Sequence, residues 1–144
     1  MPEKETLERA RKDKREGKAP STQAGEFVKE EIEHVREGKH GARSTKQAIA
    51  IGLSKARRAG VDLPPPQNAS EETKEQAERD ERKAKSGKKT SAKRSRASRK
   101  ALKKEGRSAA SKEALSRQAR AAAKKRSPTA RSRSAKKAAR TRKK

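Results

Sequence analysis

A mainly α fold, with a small antiparallel helical hairpin followed by a long disordered basic C-terminal tail, is what the sequence predicts. Three observations predict it. Two stretches, 22–37 and 45–59, repeat apolar residues at helical spacing. Only 26% of the 144 residues are hydrophobic, with one Phe and no Trp or Tyr. That is too little to offset about 1–2 kcal/mol of backbone entropy per residue over the whole length. Charge is also unevenly placed. Residues 1–82 carry 18 Lys/Arg against 17 Asp/Glu, whereas residues 83–144 carry 26 Lys/Arg against only Glu105 and Glu113. The chain therefore divides into a polar N-terminal helix or arm (1–20), a hairpin (21–66), a charged linker (67–90) and a disordered Lys/Arg/Ala/Ser-rich tail (91–144).

Residues 3–16, EKETLERARKDKRE, favour a helix with acid-before-base pairs at four-residue spacing, Glu5 with Arg9 and Glu8 with Lys12. With only Leu7 and Ala10 apolar, this helix is expected to be frayed and solvated. Gly17 to Pro20 break it, and Ser21 or Thr22 is placed to cap the next helix. Along 22–37, Ala24, Phe27, Val28, Ile32 and Val35 form one stripe, and Glu26, Glu30, Glu33 and Glu37 form an acidic wet face opposite. Glu31 borders the stripe, and Gly38 ends the helix.

The next helix has the clearest boundaries. Ser44 with Gln47 fits a capping box. Ala48, Ile49, Gly52, Leu53, Ala56 and Ala59 share one face, while Ser54, Lys55, Arg57 and Arg58 lie mostly on the other. Gly60 closes the helix at a left-handed position with Val61 folding back, and Pro64, Pro65 and Pro66 forbid continuation. Phe27, Val28, Ile32 and Val35 are expected to pack against Ile49, Leu53, Ala56 and Leu63. Such a core is near the lower limit for independent folding, so a homodimer or a docked first helix is expected to complete it.

Residues 67–90 contain no large apolar residue and read as a linker, at most transiently helical from Ser70. The tail has one weak internal repeat, ASRKALKKEGRSA at 97–109 and ASKEALSRQARAA at 110–122. Alanine, Lys and Arg favour helix, but like-charge repulsion opposes it in the free chain. The expectation is a tail that becomes helical on a polyanion.

Catalysis has little support. His34 and His40, the only histidines, read as structural or solvated, and no catalytic, cofactor or metal-ligand set is legible. The absence of Cys removes disulfides and Cys-based zinc sites. The GKHGARST loop lacks the spacing of a nucleotide-binding P-loop. Helix 45–59 follows too long a connection for a helix-turn-helix, and no Asn or Gln is free on its exposed face to read bases.

Nucleic-acid phosphates are the expected ligand of the tail. The candidate contacts are Lys88, Lys89, Lys93, Arg94, Arg96, Arg99, Lys100, Lys103, Lys104, Arg117, Arg120, Lys124, Lys125, Arg126, Arg131, Arg133, Lys136, Lys137, Arg140, Arg142, Lys143 and Lys144. Secondary contacts are expected at Lys39, Arg43 and Lys46, around the free N–H groups of the capped helix, and at Lys55, Arg57 and Arg58. The lack of aromatics disfavours stacking on single strands, which leaves duplex DNA first and structured RNA second.

Residues 17–66, from GKAPSTQAGEF through GKHGARSTKQAIAIGLSKARRAG to VDLPPP, resemble the shared segment of a family of small basic bacterial proteins of uncharacterised function. Members typically join that segment to a Lys/Ala/Arg-rich tail and are sometimes labelled DNA-binding. The tail itself is similar in composition to linker-histone tails and bacterial histone-like extensions. The resemblance implies a histone-like, nucleoid-associated protein of the bacterial cytoplasm, binding DNA without sequence preference. An RNA- or ribosome-associated protein is the alternative, as is a protein-interaction module with an accessory cationic tail. No apolar run reaches the ~20 residues of a membrane span, so no membrane partner is expected.

Overall fold

In a computed structural model, residues 2–143 are described, and among them all regular structure is helical. The elements are α1 (Lys4–Arg15), α2 (Pro20–Arg36), α3 (Thr45–Arg58), α4 (Glu71–Ser86), α5 (Ala92–Lys103), a 3-10 turn (Ser108–Ala110), α6 (Lys112–Lys124) and α7 (Pro128–Lys143).

The centre is the α2–α3 pair. Ala24 and Phe27 near the start of α2 cluster with Ala56 and Val61 at the end of α3. Ile32 and Val35 at the end of α2 cluster with Ala48 at the start of α3. The two chain directions are therefore opposed. Gly52 makes the close crossing: a Cβ there would lie 2.6 Å from the Cα of Val28. Ile49, expected in the core, is only half-buried, and Ala48 takes the central place.

The helix ends follow local chemistry. Ser44 Oγ accepts the Gln47 N–H at 3.1 Å, and Gln47 Oε1 accepts the Arg43 N–H at 2.6 Å, one residue before the cap. Gly38 and Gly60 take positive φ of 78° and 98° at the ends of α2 and α3. Val61 N–H reaches Ala56 O, and the side chain of Val61 is buried. The start of α2 differs from expectation. Ala19 is its cap and Pro20 its first residue, so neither Ser21 nor Thr22 caps it. Proline suits that place because its missing N–H would have had no helical partner anyway.

Helix α1 is docked rather than frayed. Thr6, Ala10 and Asp13 are buried, Arg9 Nε donates to Glu26 at 2.7 Å, and Lys18 bonds Asp13 at 2.8 Å across the α1–α2 turn. Glu26 and Glu30 consequently leave the wet face assigned to them. Glu30 is only 2% exposed and accepts the Glu3 backbone N–H.

Residues 67–90 are no linker over most of their length. Ser70 caps α4, and α4 packs on α3 through Ala77 and Asp80. Asp80 is fully buried and accepts from Ser54 (2.5 Å), Arg58 (2.8 Å) and Gln76 (3.1 Å).

The segment expected to be disordered, 91–144, is helical through its described residues. Ser91, Ser111 and Ser127 accept the N–H groups of Arg94, Ala114 and Ala130, and Pro128 opens α7. Caps contribute about 1 kcal/mol each, whereas like-charge pairs on a helix cost only about 0.2–0.5 kcal/mol. Each helix has one such cap against several like-charge pairs, so the helix propensity of its alanines, lysines and arginines is needed beside the cap. Part of this segment also folds back onto the hairpin. Gly41 N–H donates to Leu102 O and Ala42 N–H to Gly106 O, at 2.9 and 3.1 Å. Thr45 Oγ1 donates to Ala109 O at 2.6 Å, and Arg36 Nε to Ala110 O at 2.8 Å. Ala109 and Ala110 join the Ile32–Val35–Ala48 cluster, with Leu115 against it. A Cβ on Gly41 would lie 2.0 Å from Glu105 O, so only glycine admits this strap. The small core is completed as expected by the docked first helix, and α4 and residues 102–115 add to that burial.

Candidate nucleic-acid interface

Half of the cations in the front of the chain are paired with carboxylates. Arg9 pairs with Glu5 and Glu26, Lys12 with Glu16, Lys18 with Asp13 and Glu16, and Lys74 with Glu71. The Asp13 and Glu16 carboxylates hold the Lys18 ammonium well above the usual lysine range.

The secondary contacts expected in this region are mostly consumed by the same pairing. Arg57 is buried and donates to Leu63 O at 2.8 Å, closing the turn after α3; it is not on a wet face. Lys55 is bonded to buried Glu31. Arg58 is bonded to buried Asp80, although 39% of its side chain stays exposed. Lys39 bridges Glu3 and Glu37. Lys46 is exposed and has no carboxylate partner, and Arg43 is exposed at a loose 3.9 Å from Glu105. Of the α3 cations expected on the solvent side, Arg58 is partly exposed, whereas Arg57 is buried and Lys55 turns to Glu31 of α2. The covering elements, α4 and the folded-back residues after α3, leave no mark in the α3 sequence itself.

From Lys88 onward the situation reverses. Every primary candidate from Lys88 to Lys143 is exposed, and no Lys or Arg in that span is ion-paired among the described residues. Lys144 lies outside the described residues. Helical geometry sorts these side chains into stripes. On α5, Lys93, Arg96, Arg99, Lys100 and Lys103 fall within about 120° of the helix surface at 100° per residue. On α6, Arg117, Arg120 and Lys124 line up within about 60° of the helix surface. On α7, Arg133, Lys136, Lys137, Arg140 and Lys143 share a similar sector. A segment expected to be disordered has no faces, so these stripes emerge only with the helices. Arg107 and Lys112, not singled out, are exposed as well.

One junction links the two regions. Ser44, Thr45 and Lys46, at the start of α3, share an open groove with Arg117, Gln118 and Ala121 of α6. Free N–H groups and the positive end of the α3 dipole thus face a groove that also holds two cationic side chains.

The fold and this surface define a small all-helical body whose C-terminal helices carry unpaired cations in stripes. Residues 4–67, spanning α1 to just past the proline run, match the profile of a family of unknown function, DUF6496. Helices α4 to α7, and so the whole cationic surface, lie outside that match. No curated protein and no solved structure matches the chain. No described helix is long and apolar enough to cross a membrane.

Proposed function

We propose that the chain binds nucleic acid without sequence preference, through phosphate contacts of the cationic stripes on α5, α6 and α7. Duplex DNA is the favoured partner, and a histone-like, nucleoid-associated role in the bacterial cytoplasm follows from it. The carrying observation is the contrast in pairing. Half of the Lys and Arg before residue 83 are paired with carboxylates, while those from Lys88 to Lys143 face solvent with none. Cations gathered on a helix face and left without counterions exchange salt ions for phosphates, which drives sequence-independent binding. The absence of Trp and Tyr, with Phe27 buried, leaves no stacking platform for single-stranded bases.

The test is a salt titration of the full chain on duplexes of unrelated sequence. Affinity should fall steeply with salt, with a log–log slope of about −0.9 per phosphate contact, and be equal between sequences. Replacing Arg133, Lys136, Lys137 and Arg140 with Gln should flatten that slope by about 3–4 if all four touch phosphates. A salt-independent affinity, or a variant with an unchanged slope, removes the proposal. Competition by folded RNA at physiological salt separates the DNA reading from the RNA one.

A further inference from the structure

The hairpin holds a cluster that the nucleic-acid reading does not use. Glu31 of α2 is fully buried, with its side chain 1% exposed. It sits beside His34, three residues on, and His40 of the following loop. Donor atoms of these three side chains lie within 4.8 Å of one another. The histidine rings meet edge to face, with centroids 6.0 Å apart.

Both rings are oriented from outside. His40 Nδ1 lies 2.9 Å from Gly41 O. A carbonyl only accepts, so Nδ1 carries the proton and Nε2 is left as the inward nitrogen. That Nε2 is 3.1 Å from Glu31 Oε2, yet Oε2 has no hydrogen-bond partner. His34 Nε2 lies 3.0 Å from Glu3 Oε1, which directs Nδ1 inward, 3.9 Å from Glu31 Oε1. An imidazole with one nitrogen tied to a carboxylate or carbonyl and the other turned toward a buried carboxylate is the arrangement metal-binding histidines adopt.

Charge points the same way. Lys55 holds only one oxygen of Glu31, and Lys39 answers Glu3 at the rim. Glu30, 2% exposed and with Oε2 unpartnered, lies 4.0 Å from His34 Nε2 and has no cation of its own. Three carboxylates thus surround the histidines against two ammonium groups.

We propose that Glu31 Oε2, His34 Nδ1 and His40 Nε2 bind a divalent late first-row cation, zinc being the representative case. Neutral imidazole and carboxylate suit zinc, whose bonds of about 2.0–2.2 Å require only a small closure of the cluster. The rings are 14% and 12% exposed, which leaves a route for the ion and room for a water as fourth ligand. Because the three donors come from α2 and the α2–α3 loop, the ion would pin that loop.

The test uses the full chain with zinc chloride as probe. Calorimetry should show one tight zinc per chain, reversed by EDTA, and a higher melting temperature. His34→Gln and His40→Gln should each abolish that binding while preserving the apo circular dichroism spectrum. Glu3→Gln, which loosens only the orientation of His34, should weaken it about 10–100-fold. The chain's two histidines also permit a readout that needs no variant. Ring-nitrogen NMR shifts on zinc addition should appear at Nδ1 of His34 and Nε2 of His40. No saturable zinc binding, binding retained in both His variants, or shifts at the opposite nitrogens would overturn the proposal.

Discussion

At the scale of single residues, the fold is set by side chains that end helices or admit a close approach. Gly52 is the sharpest case. An alanine there would gain about 1 kcal/mol of helix propensity, but overpacking against backbone costs about 1–3 kcal/mol. Since the nearest atom is the Cα of Val28, which cannot rotate away, Gly52→Ala should lower the melting temperature. Ser44→Ala should cost about 1 kcal/mol, read by denaturant unfolding, through loss of the cap alone. Acid sensitivity is also local. The His34 and Lys39 contacts hold the Glu3 carboxyl below its ordinary 4.5, and the Lys18 contact does the same for Glu16. Both shifts are downward, so their stabilisation is complete above the ordinary value and is lost as pH falls through the lowered one. Glu3→Gln should remove part of the loss of helicity below about pH 4.5, as followed by circular dichroism. Ser44, Gln47, Gly38 and Gly60 are legible in sequence because capping depends on neighbours in the chain. The roles of Glu31 and Asp80 are not, since a buried carboxylate is explained only by partners brought from elsewhere.

At the scale of elements, the same division explains which helices the sequence reveals. The α2 and α3 stripes are visible because they use Phe, Val, Ile and Leu at helical spacing. Docking of α1, α4 and the 102–115 strap uses Thr6, Ala10, Ala77, Ala109, Ala110 and Ala114, small residues that leave little hydropathic trace. Their attachment is by close backbone approach and polar bonds. Asp80→Ala should therefore release α4 without unfolding the hairpin. Three hydrogen bonds are lost, but Arg58 is exposed enough to be rehydrated, so the cost should be about 1.5–3 kcal/mol. Hydrogen exchange across residues 71–86 should accelerate while that of α2 does not. Ala110→Asp should dislodge the strap, since it desolvates a carboxylate and crowds a fully buried position in the Ile32–Val35 cluster.

At the scale of the whole molecule, the front and back of the chain divide two tasks. The front neutralises its own charge and folds; the back displays charge. The helical character of the back is not legible from charge alone, because it rests on capping serines and on the helix propensity of alanine set against that repulsion. What composition does reveal is the surplus itself, 26 Lys/Arg against two Glu in residues 83–144, whatever the conformation of that segment. The combined prediction is that raising salt weakens duplex binding while leaving the helicity of α2 and α3 unchanged.

The strap has a consequence for the integrity of the molecule. Helix α4 is fastened to α3 at Asp80, and the chain is fastened again at Gly41, Ala42 and Thr45 by residues 102–109. Between these anchors lie the exposed residues Gly87–Thr90 and α5, with no buried residue in that helix. A protease cutting at Lys88 or Lys89 would sever one covalent bond without dividing the particle. Size-exclusion chromatography of the nicked protein should give a single peak at the intact mass, while denaturing electrophoresis gives two bands. A clipped chain would still carry α6 and its row of cations on the folded body, so a single cut there would not strip the surface of its charge.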